Sequence, residues 1–191
     1  LRLQTGGAFN IAVGSLMDGQ PGASELADPV IELDPAASTV RVTRAGVALD
    51  LGGIAKGWAL DMAAEILREH RIGRALMHGG TSSVLGMGGD WGVKVTSGAS
   101  GQGPARTVRL RDQVLSVSAP RGRTVGGLGH IVDPRTGLSA GTIDTAAVIG
   151  GLGQAAMCEA WSTALVVLGS RPATCPIGLE TWLHDAAGWR S

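Results

Sequence analysis

Near the first third of the chain the spacing of apolar residues changes from two to four, and that change constrains the fold most. Ile54, Trp58, Met62 and Ile66 recur every fourth residue, with Ala55, Ala59, Ala63 and Leu67 beside them. Such a run predicts an amphipathic helix with a broad apolar face. It follows directly on Asp50-Leu51-Gly52-Gly53 and runs out toward Gly73, a residue suited to a helix exit. A helix of this kind needs a sheet or a second helix to cover it.

Short alternating segments on both sides supply the sheet. Val30–Leu33 and Thr39–Val42 read as half-buried strands separated by the Asp34-Pro35 turn, and Val47–Leu51 as a third. After the helix, Arg74–Met77 reads as the next strand, and Ser83–Leu85, Gly92–Thr96, Thr107–Leu110, Val114–Val117 and Ile131–Val132 follow as strand candidates in an antiparallel meander. Thr142–Ile149 reads as another strand. Residues 155–168 form the second clear helix, with Met157, Ala160, Trp161, Ala164, Leu165 and Leu168 on one face. Residues 1–28 read as turns plus a short helix, and the tail from Arg171 is ambiguous. No repeat or linker divides the chain. The expectation is one α+β domain over residues 1–191, with an antiparallel sheet and two main helices.

Composition narrows the function. Of 191 residues, 31 are glycine, which favours tight turns and close backbone approach. The formal net charge is zero and no Lys/Arg block occurs, which argues against a nucleic-acid partner. A phosphate-bearing small molecule needs only a few placed groups. Cys158 and Cys175 lack the spacing of a zinc site, and sequence alone leaves open whether they are idle thiols or a disulfide. No apolar run is long enough to span a bilayer; the best, Ala164–Leu168, lies in a helical pattern.

The chemistry-bearing segment is Asp50-Leu51-Gly52-Gly53-Ile54-Ala55-Lys56-Gly57. A helix start presents unpaired N–H groups and a positive partial charge. Two glycines let a ligand approach. Lys56 stands where the helix dipole disfavours a cation, and a nearby phosphate would reverse that penalty. A plain strand–turn–helix corner with an exposed lysine explains the same residues. The spacing is neither a Walker loop nor G-x-G-x-x-G.

Five segments, in order, resemble the signatures of one family. DLGGIAKGWALD is similar to D-[LF]-[GS]-[GA]-[IV]-x-K-G-[YF]-A-x-D. His130-Ile131-Val132-Asp133-Pro134-Arg135-Thr136-Gly137 is similar to H-I-I-D-P-R-T-G. Thr5–Asn10 resembles S-x-G-A-F-D, His78-Gly79-Gly80 stands where N-x-G-G is usual, and Glu159–Leu165 resembles D-A-x-A-T-A-L. The family is ApbE, the FAD:protein FMN transferases. The resemblance implies a T-fold-like α+β domain that takes FAD as substrate and binds Mg²⁺. Typical members move FMN from FAD to a Thr or Ser hydroxyl of a target flavoprotein with an S/T-G-A-T/S motif, releasing AMP. Others hydrolyse FAD to FMN and AMP, and a degenerate member would bind FAD without turnover.

Carried over by position, Asp50, Lys56, Gly80, Ser118 and His130 would contact FAD. The Gly53 carbonyl, Glu159 and Thr163 would hold the metal. His130 would be the catalytic base, since histidine accepts a proton near neutral pH. A structural role, closing the D-P-R-T-G turn, is the other reading of His130, and Asp133 reads as a turn residue. Glu159 and Thr163 lie four apart on one helix face, roughly opposite the apolar stripe, and are expected to face water or a polar cleft.

The departures from the family pattern are specific. Glu159 replaces Asp and reaches roughly 1.5 Å further. Asn10 replaces Asp, Trp58 replaces Tyr, and Ser116-Val117-Ser118-Ala119 stands where A-T-S-G is usual. Thr96-Ser97-Gly98-Ala99-Ser100 resembles the acceptor core itself, but Lys94 stands where that core has an acidic residue, and the segment reads as a hairpin loop. The chain opens at Leu1 and is read as lacking the family's amino-terminal portion. The resemblance further implies the periplasmic side of the cell envelope, with membrane association through a segment absent here.

Overall fold

The structure is a computed structural model, and it describes residues 1–17, 30–97, 103–120, 124–125 and 128–191. The Gly98-Ala99-Ser100 part of the acceptor-like segment lies outside these residues.

A 3₁₀ turn (Ile11–Val13) leads into the short α1 (Gly14–Met17). Asn10 caps the turn, its side chain accepting from the Ala12 amide. Next comes a hairpin, β1 (Ile31–Asp34) and β2 (Thr39–Val42), paired Ile31 to Val42. The α2 helix (Ala55–Glu69) precedes β3 (Ala75–Gly79), β4 (Ser83–Met87), β5 (Trp91–Thr96), β6 (Ala105–Leu110) and β7 (Gln113–Ser118). Then come the two-residue strands β8 (Thr124–Val125) and β9 (Leu128–Gly129), β10 (Thr145–Gly151), α3 (Ala155–Leu168), β11 (Glu180–Asp185) and β12 (Gly188–Arg190).

Six strands form one antiparallel sheet in the order β12-β11-β10-β7-β4-β3. Period-two alternation sends each strand's side chains to two different cores. On β10, Ala146 and Val148 face α2 and α3, and Ala147 and Ile149 face the other way. On β4 and β7, Leu85, Met87 and Val114 join the helical core, and Val84 and Leu115 the opposite one. The β5–β6 hairpin covers that second face with Val95, Val108 and Leu110. The result is three layers: helices, sheet and hairpin.

The α3 helix is the centre of the first layer. Cys158, Ala160, Trp161, Ala164, Leu165 and Val166 are fully buried. It ends at Gly169 in the left-handed conformation (φ 72°), whose amide returns to the Leu165 carbonyl. The α2 helix lies beside it. Gly57 marks their contact, since a Cβ there would sit 2.3 Å from the Ala155 carbonyl oxygen.

The structure corrects several sequence expectations. The meander is broken, because β5–β6 leaves the main sheet and β10 pairs with β7. Val47–Leu51 joins no ladder; the Ala48 amide bonds Ser15 Oγ and the Asp50 amide bonds the Ile11 carbonyl. Ile131–Val132 is reduced to a single bridge from Val132 to Ser139. The β1–β2 pair is exposed rather than half-buried, with Leu33 and Val40 mostly in solvent. The chain leaves α2 through Arg71 (φ 61°), ahead of Gly73. The tail from Arg171 includes two strands, β11 and β12.

The main correction concerns α2. Its buried face is Gly57, Leu60, Asp61 and Ala64, spaced 3, 1 and 3. Trp58 and Ile66, two of the four residues that define the period, are 60% and 53% exposed. The small residues that let two helices touch outrank the large apolar ones in choosing the face. Both cysteines are buried free thiols.

A candidate active site between two helix starts

Helix α2 begins at Ile54, which provides no side-chain cap, and α3 begins at Gln154, which provides none either. Each helix start is served by a carboxylate from the other helix. Glu159 Oε2 on α3 accepts the Gly57 amide of α2 at 2.8 Å. Asp61 on α2 accepts the Ala155 and Ala156 amides of α3, at 3.0 and 3.1 Å. Both carboxylates are buried, and each meets the positive partial charge of the other helix's N-terminus.

Glu159 carries further contacts. Its Oε1 accepts from Ser83 Oγ at 2.7 Å and is paired with Lys56 Nζ at 2.7 Å. Lys56 Nζ also donates to the Gly52 carbonyl at 3.0 Å. The Lys56 side chain is 41% exposed and that of Glu159 is 3% exposed. Of the two surroundings expected for it, water or a polar cleft, Glu159 has the polar one. Its carboxylate is folded inward against fixed donors, which offsets the cost of burying a charge. The dipole penalty on Lys56 is relieved by Glu159.

A row of hydroxyls continues from this cluster along α3. Ser162 Oγ donates to the Glu159 carbonyl at 2.9 Å and lies 3.1 Å from Ser116 Oγ and 2.8 Å from Ser118 Oγ. Ser118 Oγ is 3.3 Å from Thr163 Oγ1. Strand alternation puts Ser83 on β4 and Ser116 and Ser118 on β7 on the helix side of the sheet. Gly53 closes this end: a Cβ there would lie 3.3 Å from Thr163 Oγ1 and 3.0 Å from the Phe9 ring.

Of the residues singled out in sequence, Lys56, Glu159, Gly53, Thr163 and Ser118 thus come together. Asp50 is on the rim, its Oδ1 accepting the Gly52 amide at 2.7 Å and shaping the glycine turn. Gly80 occupies the β3–β4 turn at φ 74°, three residues before Ser83. His130 is half-buried at the head of the loop 130–137. In that loop Asp133 accepts the Gly137 amide at its carbonyl and the Arg135 amide and guanidinium at its carboxylate. Burial pushes the Asp133 carboxyl up, but the Arg135 hydrogen bonds and charge prevail and hold it below its ordinary range. Asp133 is accordingly a turn-forming anion. Arg135 packs against Gly7 of the first turn, where a Cβ would lie 3.4 Å from Arg135 Cγ.

The sequence reading left Asp61, Gly57, Ser83 and Ser162 without roles. Asp61 had a visible signal: an acidic residue four after Gly57, one after Leu60 and three before Ala64. A charge on a helix face that sequence alone misassigns is hard to recognise.

The oxygen donors of the cluster are a carboxylate, hydroxyls and backbone carbonyls, which suit a hard divalent cation such as Mg²⁺. Among the described residues no group of three or more His, Cys, Asp or Glu side chains could hold a metal. Any such ion would rest chiefly on neutral oxygens, on Glu159 and on oxygens of a substrate.

A family model, that of the ApbE family, matches residues 1–175. The chain belongs to the ApbE family. It is 30% identical over 205 residues to the FAD:protein FMN transferase of Treponema pallidum, covering 87% of this chain and 56% of that relative. It is 28% identical over 152 residues to the FAD:protein FMN transferase of Klebsiella pneumoniae, covering 68% and 47%. The chain thus spans about half the length of the curated relatives it matches. The crystal structure of an ApbE protein from Thermotoga maritima superposes with a TM-score of 0.79 at 24% identity, covering 98% of this chain and 70% of that one. This agreement bears out the α+β ApbE fold.

Proposed function

We propose that this ApbE-family chain transfers FMN from FAD to a Thr or Ser hydroxyl of an acceptor flavoprotein, releasing AMP. The observation that carries the reading is the Lys56–Glu159 pair set at the α2 start beside Gly53 and Thr163, on the segments that match the family's motifs. The names of the relatives agree with it.

In this reading one P–O bond of the FAD pyrophosphate breaks and one P–O bond to the acceptor hydroxyl forms. AMP leaves with the bridging oxygen. Reactions of this kind depend on positioning and charge neutralisation. The Lys56 ammonium binds pyrophosphate oxygens, aided by the positive partial charge of the α2 start, and the glycines at 52 and 53 let the phosphate come close to the backbone. Gly53, Glu159 and Thr163 would hold Mg²⁺, which when bound would neutralise charge on the pyrophosphate. Asp50 and Gly80 shape the rim, Ser118 fixes the hydroxyl row, and His130 takes the proton of the acceptor hydroxyl. The acceptor's S/T-G-A-T/S motif and a place on the periplasmic side of the cell envelope belong to the same proposal.

The test is AMP release from FAD with and without Mg²⁺, in the presence of a peptide carrying an S-G-A-T core. Mg²⁺-dependent AMP release with a matching gain of FMN mass on the peptide is the expected result. AMP without peptide modification would replace the transferase by an FAD pyrophosphatase. FAD binding without AMP would replace both by a flavin-binding protein.

A further inference from the structure

We propose that Lys56 is an exchangeable counter-cation of Glu159, which the divalent ion displaces, turning the ammonium toward the substrate pyrophosphate. The proposal rests on the Mg²⁺ reading above and adds a mode of regulation to it.

The competition is for the lone pairs of one carboxylate. An ionised carboxylate offers about four acceptor positions. On Glu159 three are filled, by Ser83 Oγ, Gly57 N and Lys56 Nζ. Two of these donors cannot leave without breaking larger structures. Gly57 N belongs to α2 where that helix touches α3, and Ser83 is held in β4 by pairing with Gly79 and Ser116. Lys56 differs in both respects. It carries its own charge, and its flexible, 41% exposed stem has an open path to solvent.

The ammonium also occupies the place that a cation would want. Nζ lies between the Glu159 carboxylate and the Gly52 carbonyl, the residue before Gly53, and Gly53 touches Thr163. With Lys56 in place the pair is neutral. A dication added beside it would meet an ammonium on the same carboxylate, and like charges at that range repel. Loading the ion therefore expels the ammonium. The freed ammonium finds its best partner in an anion at the helix start, which is where the pyrophosphate is proposed to bind. Metal and FAD then strengthen each other, because each removes a cost that the other faces.

The chain's lysines are Lys56 and Lys94, and Lys94 is exposed on β5, so it is an internal reference. The experiment follows amine acylation of both residues in the wild-type chain by mass spectrometry, with MgCl₂ or NaCl at matched ionic strength. Mg²⁺ binding is measured in parallel by calorimetry. Exchange predicts a several-fold faster acylation of Lys56 in Mg²⁺, with Lys94 unchanged. In Glu159→Gln, Lys56 should react fast without Mg²⁺ and respond no further. Lys56→Met should bind Mg²⁺ in the absence of FAD about tenfold more tightly than wild type, within the ordinary range of coupling between sites. If calorimetry shows Mg²⁺ bound while Lys56 acylation stays unchanged, the exchange is wrong and the metal reading stands. If no variant binds Mg²⁺ with or without FAD, the metal reading fails and takes the exchange with it.

Discussion

The two long helices of this protein invert one another's pattern. The α2 helix exposes large apolar side chains, Trp58 and Ile66, and buries a glycine and an aspartate. The α3 helix buries nearly everything, including Glu159 and Ser162. Burial of a carboxylate is costly unless donors meet it, and the Glu159 and Asp61 carboxylates are each met by amides of the other helix. The difference shows that the helices are positioned by exchange of capping groups as much as by apolar area. The same exchange brings the two N-termini, Lys56 and the glycine turn to one place.

The comparison can be broken at Glu159 first. Glu159→Ala removes the acceptor for Gly57 N, Ser83 and Lys56 at once. The buried Gly57 amide and Ser83 hydroxyl lose their acceptor at about 1–3 kcal/mol each, measured by urea unfolding, and AMP release should fall to background. Next is Gly57→Ala, whose new Cβ would meet the Ala155 carbonyl. Forcing the helices apart costs about 1–3 kcal/mol, and the loss should be smaller in a variant that keeps the contact with Glu159 but relaxes α3 elsewhere. Asp61→Ala removes the α3 cap and should cost about 1–2 kcal/mol. Asp61→Asn, which can still accept, should recover part of this; equal losses in the two variants would sink the capping role.

A smaller effect concerns pH. Burial, then the charges of Asp61 and Cys175, push the Cys158 thiol from 9.0 up to about 12. The folded state thus keeps its proton where the unfolded state has lost it, so stability falls as pH rises above about 9. Chemical denaturation between pH 8 and 11 should show a steeper decline in wild type than in Cys158→Ala. The smallest effect is at Ile66. Ile66→Lys should change stability by less than about 0.5 kcal/mol, despite removing a residue of the most regular apolar run in the chain. A loss of several times that value would mean the exposed face of α2 is covered.

These cases show what sequence could and could not supply. The α+β class, both long helices and most strands follow from periodicity, because strand alternation and helix length are local properties. The face of α2 does not, because it is chosen by the fit of Gly57 against Ala155, a contact between distant segments. Val47–Leu51 has strand composition, but its backbone bonds go to Ser15 and Ile11 instead of a neighbouring strand. The structure sets together Lys56, Gly53, Glu159 and Thr163, which were named from motifs. Ser83 and Asp61 were not, since their role exists only where β4, α2 and α3 meet. The helical wheel allowed Glu159 a polar cleft but could not name its partner, because a wheel has no knowledge of a second helix start.

The bonds of Glu159 span the chain: Ser83 lies 76 residues away and Gly57 lies 102 away. Contacts so remote close large loops and form late, after local helices and hairpins have already appeared. A growing chain that has emerged only through β7 would carry the glycine turn and Lys56 but no carboxylate to hold them. The proposed metal site should accordingly form only once α3 has docked, which makes ion binding a report on the completion of folding.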